Sequence, residues 1–62
     1  MKNRLLNGEL IELTNEFDSV AIWFQPKTNN FCLELNSKVV KSTKTFKPIE
    51  NKLNSIGNLL EN

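Results

Sequence analysis

Residues 20 to 35, VAIWFQPKTNNFCLEL, set two apolar runs around a Pro-Lys-Thr-Asn-Asn turn. Short apolar runs on both sides of such a turn signal a β-hairpin. A hairpin is marginal alone, so the chain is committed to a larger sheet with something packed on it. Val20, Ile22 and Phe24 share one side of the first strand, and Phe31, Leu33 and Leu35 share one side of the second. A one-residue slip would send one triplet to solvent, so both must lie on the same side.

Opposite residues of an antiparallel pair have position numbers with a constant sum. A sum of 57 sets Phe24 against Leu33 and Ile22 against Leu35, with a four-residue loop from Lys27 to Asn30. That is a common hairpin length, and Pro26 then ends its strand, where a missing N–H is tolerated. The same register sets Trp23 against Glu34, Ala21 against Asn36 and Gln25 against Cys32. The only tryptophan of the chain thus falls on the otherwise polar side.

The remaining segments arrange themselves around this hairpin, whose strands are predicted at 19–25 and 31–36. Asn7-Gly8 is a turn signal, and ELIELT at 9–14 reads as a strand or a short helix, a strand being favoured by the turn residues on either side. VVKSTKTF at 39–46 is rich in β-branched residues and predicts a further strand, its lysines suited to a protected sheet edge. At 48–60 the pattern turns helical. Pro48 suits the first helical position, Glu50 the first turn, and Ile49, Leu53, Ile56 and Leu60 form one stripe with Asn51, Asn54 and Asn58 opposite. The expected fold is α+β: one domain, 1–62, with a small antiparallel sheet of three to four strands and one C-terminal helix packed on one face.

A chain of 62 residues buries only ~60% of the surface its unfolded form exposes. One cysteine, Cys32, precludes an internal disulfide, and without histidine there is no structural zinc set. Close packing or a partner remains, which raises the expectation of a homodimer. No apolar run of ~18 residues is present, and Glu9 and Glu12 interrupt the apolar N-terminal segment, so no signal peptide is expected. An unpaired cysteine without an export signal predicts the cytoplasm. The ten asparagines read as the codon usage of a genome rich in A and T.

Catalysis is not expected. Without histidine there is no Ser-His or Cys-His pair. Two glycines make no phosphate cradle, and Cys32, inside a strand, reads as a small packing residue. No cofactor or metal is implied.

Charge is unevenly distributed beneath a net +1. Glu9, Glu12, Glu16 and Asp18 lie in a stretch without bases, and Lys38, Lys41, Lys44 and Lys47 in one without acids. Either neighbouring strands neutralise each other or the fold presents a dipole to a partner.

Three readings follow for Trp23. Its face is covered by the N-terminal segment, through Leu5, Leu6, Leu10 or Phe17. Or it is a protein interface, a tryptophan anchor rimmed by Gln25, Glu34 and Asn36 that binds a second copy or another protein. A small regulatory protein, an inhibitor or adaptor of the kind that mobile elements and phages encode, fits that description. Or it binds single-stranded nucleic acid, with Trp23 stacking and Lys27, Lys38, Lys41, Lys44 and Lys47 meeting phosphates. Strands followed by a C-terminal helix is similar, in element order alone, to the small transcription-coactivator-type single-strand-binding domains. Near-neutral charge weighs against that third reading, so a non-enzymatic protein-interaction module using the Trp23 face is the expected function.

Overall fold

The computed structural model describes all 62 residues. Four strands follow one another as an antiparallel meander: β1 (Ile11–Thr14), β2 (Ser19–Gln25), β3 (Asn30–Leu35) and β4 (Lys38–Thr43). A short helix, α1 (Lys2–Leu6), precedes them; α2 (Lys47–Ile56) follows and leads into a two-residue strand, β5 (Leu60–Glu61). The strand order is β4-β3-β2-β1-β5. The class is α+β as expected, with five strands where three to four were expected and a second helix at the N-terminus.

This order makes α2 span the sheet. It leaves from the β4 edge and must deliver β5 beside β1, four strand spacings or about 19 Å away. Ten helical residues supply about 15 Å, and Gly57 to Leu59 complete the crossing. Ile49 is fully buried on this side, with Leu53 and Ile56 packed against the same core. The helix stops at Ile56 instead of running to residue 60. Gly57 adopts φ +75 and ψ 152, a backbone open almost solely to glycine, and Leu60 leaves the helical stripe for β5.

α1 packs on the same side. Leu5 is 0% exposed and joins Ile11, Leu13, Val20, Ile22, Phe31, Leu33 and Ile49 in the core. Five residues do not sustain a helix alone, and a side-chain fork holds this one in place. The Arg4 guanidinium donates to both oxygens of Glu61, at 2.8 and 2.6 Å, and to Glu9 at 3.1–3.2 Å. It thereby ties the two ends of the chain together.

The hairpin register has a sum of 55, not 57. Phe24 pairs with Phe31, Ile22 with Leu33, and Val20 with Leu35. A two-residue slip leaves every side chain on its original face, so alternation cannot separate the two registers. The smaller sum removes Pro26 from the ladder and brings the Phe24 and Phe31 rings to 5.0 Å, with Phe46 closing the stack at 5.5 Å from Phe31. The loop is Pro26 to Asn29, and Asn29 takes the left-handed conformation that asparagine tolerates. The tight two-residue hairpin turn falls at Asn36-Ser37, both with positive φ as a type I′ turn requires.

Candidate functional site

Both helices cover the same side, which leaves the other side of the sheet open. Pairings across three ladders define that open side row by row. Glu12, Ala21, Glu34 and Val39 form one row; Trp23, Cys32 and Ser42 form the next, with Gln25 and Asn30 beyond it. Of the nine buried residues, eight make up the helix-side core. The ninth, Cys32, lies on the open side between Trp23 and Ser42 and is 9% exposed. Its Sγ lies 3.8 Å from the Ser42 hydroxyl.

Trp23 is half-buried, and of the N-terminal residues expected over it only Leu10 is placed beside it. Leu5 is in the core on the other side, Leu6 is exposed, and Phe17, at the β1–β2 turn, is 83% exposed. Leu10 stands one residue before β1, in line with Trp23 if the ladder is carried one step further, yet it is exposed itself.

The four residues expected to form a protein-binding patch are only partly brought together. Trp23 faces Cys32, not Glu34, and Glu34 faces Ala21. Gln25 lies at the strand end, where its side-chain oxygen accepts the Lys27 N–H at 3.2 Å. Asn36 sits beyond β3 in the hairpin turn. Its side chain accepts the Ser19 N–H at 2.9 Å and donates to Asp18 at 3.0 Å, so it closes the turn onto β2 and lies away from the tryptophan. Glu12 and Ala21, which sequence reasoning left out of the patch, belong to it. The β1–β2 pairing that places Glu12 there is not encoded in either strand alone.

The lysines are distributed differently from the tryptophan. Lys41 pairs with Leu33 and Lys38 with Leu35, both rows of the helix side. Lys41, Lys47 and Lys52 line a groove between β4 and α2 together with Thr45, Asn51 and Ser55. Lys44 holds the β2–β3 loop, its ammonium donating to the Thr28 carbonyl at 2.7 Å and to Asn30 at 3.3 Å. Lys27 is exposed in that loop. Trp23 and the basic groove therefore occupy opposite sides of the sheet.

Nor do the acidic and basic stretches neutralise each other. β1 and β4 are separated by two strands. The ion pairs are Arg4–Glu9, Arg4–Glu61 and Lys47–Glu50. The Arg4 hydrogen bonds hold the Glu61 carboxyl below its ordinary range and push the guanidinium up. What remains is a charge gradient across the sheet, acidic toward β1 and basic toward β4.

No group of three or more His, Cys, Asp or Glu side chains converges as a metal site would require, and no helix is long and apolar enough to cross a membrane. Set against protein-family models, curated proteins and solved structures, the chain matches none of them.

Proposed function

We propose that this chain is a non-catalytic protein-interaction module that binds its partner through the open side of the sheet, with Trp23 as anchor. One observation carries the reading: two helices pack on the same side, and the chain's only tryptophan is left half-buried on the other. Tryptophan is enriched among residues that dominate binding energy, where a ring seats in a partner pocket and polar neighbours exclude water around it. Gln25, Glu34 and Ser42 supply such a polar surround. A role as inhibitor or adaptor is compatible with a module that binds through that face.

The nucleic-acid alternative draws less support from this geometry. Stacking and phosphate contact usually share one groove, whereas here the indole and the groove of Lys41, Lys47 and Lys52 lie on opposite sides.

The test is a photo-crosslinking residue at position 25 on the open side, with Asn51 of α2 as the control position. Adducts that form from position 25, fail from position 51 and vanish with Trp23→Ala support the reading. Equal adducts from both positions, or adducts indifferent to Trp23→Ala, defeat it.

A further inference from the structure

The row next to Trp23 specifies what the open side accepts. Glu12 and Glu34 both pair with Ala21, one from each neighbouring strand. Their Cα atoms are therefore about 10 Å apart with only a methyl group between them, and Trp23 stands about 7 Å further along β2 on the same side. The result is a notch with a carboxylate on either flank, an indole at one end and an alanine floor.

Neither carboxylate is used within the chain. The ion pairs engage Glu9, Glu50 and Glu61, and no side-chain hydrogen bond reaches Glu12 or Glu34. Glu34 is nevertheless half-buried, without a cation to offset its lost hydration. No strand residue on this side is basic. Lys44, which reaches its far corner, is held by Thr28 and Asn30. A chain of net charge +1 thus turns a locally negative surface outward at its tryptophan.

We propose that this notch receives an arginine side chain from a basic segment of the partner protein. This rests on the interaction reading above and names the chemistry of the partner. A guanidinium is planar, donates in more than one direction and stacks on an aromatic face, so it can bridge two carboxylates while lying against the indole. A second copy of the chain does not supply that group. Its only arginine, Arg4, is already bonded to Glu9 and Glu61.

The experiment uses the full chain and a blocked Gly-Arg-Gly-Arg-Gly peptide, with the citrulline peptide as an uncharged isostere, read by Trp23 emission and by backbone and indole NMR shifts. The arginine peptide is expected to shift Ala21 and the Trp23 indole, the citrulline peptide to leave them unmoved. Glu12→Gln with Glu34→Gln should weaken binding at least tenfold while circular dichroism stays unchanged. Undiminished binding to that double variant, shifts confined to Glu16 and Asp18, or no shift at millimolar peptide would overturn the proposal. So would dilution-dependent Trp23 emission in the free chain, which would make a second copy the occupant. The double variant also separates the two readings. Crosslinking that needs Trp23 but survives loss of both carboxylates leaves the interaction face standing and removes the arginine.

Discussion

Trp23 and Cys32 face each other across the β2–β3 ladder on the side that neither helix touches. The small thiol is buried and the large ring only partly so, the order in which these two residue types usually rank. On a one-layer surface, a residue on an inner strand is sheltered by the side chains flanking it, while a long side chain rises above that shelter.

Truncating the ring should therefore cost less than truncating the core. Trp23→Ala is expected to lower stability by about 1–2 kcal/mol and Leu33→Ala by about 2–5 kcal/mol. Denaturant unfolding of the two variants decides the point. Equal losses would mean that Trp23 is a core residue and its face no interface.

Thiol labelling gives an independent view of the same pair. Cys32 should alkylate slowly in the folded chain and quickly in denaturant. Trp23→Ala should accelerate labelling under folding conditions by more than its stability loss explains, because it removes one flank of the shelter. Labelling unchanged by the substitution would show that Ser42 and the strand backbone protect the thiol unaided.

Two turn positions should respond in opposite directions. Nothing lies within 4 Å of a Cβ built on Gly57, so Gly57→Ala meets no clash. Its φ of +75 with ψ of 152 still predicts a loss of about 1–3 kcal/mol and detachment of β5. Ser37 holds φ +72 at the second turn position, where glycine is preferred. Ser37→Gly should raise stability by up to about 1 kcal/mol. Thermal melts of both variants provide the measurement.

Acid should loosen the clasp between the chain ends. Hydrogen bonds from Arg4 lower the Glu61 pKa in the folded chain. Its contribution is thus full above the unfolded carboxylate value, about 4.3, and lost as pH falls through the lower folded value. Glu61→Gln should be less stable than the parent at pH 7 and converge with it in strong acid. The group is exposed, so added salt should narrow the difference at neutral pH. A stability gap independent of pH would show that the carboxylate charge is not what holds α1.

Several features are legible in the residues alone. The alternation of Val20, Ile22 and Phe24 with Phe31, Leu33 and Leu35 names the hairpin and both of its faces. Pro48, Glu50 and the Ile49-Leu53-Ile56 stripe name the helix. Other features carry a local signal open to two readings. Gly57 within a helical run marks a stop as readily as a frayed turn, and Asn36-Ser37 is a turn pair at hairpin spacing. For α1 no signal suffices, since five residues owe their helicity to Leu5 entering the core and Arg4 meeting Glu61, 57 positions away.

Local chemistry determined what each segment could be: which side of each strand is apolar, where proline and glycine end an element, and that no disulfide joins the parts. Tertiary structure decided what lies beside what. Registers two residues apart satisfy alternation equally, and only the Phe24–Phe31–Phe46 stack and the exclusion of Pro26 separate them. The placement of β5 against β1 makes α2 cross one whole side, and the docking of Leu5 adds α1 to that same side. Both choices bring Leu5, Ile49, Leu53 and Ile56 onto one apolar core, a gain that no single segment contains, and together they leave Trp23 on the open side, one row along from the unpaired Glu12 and Glu34.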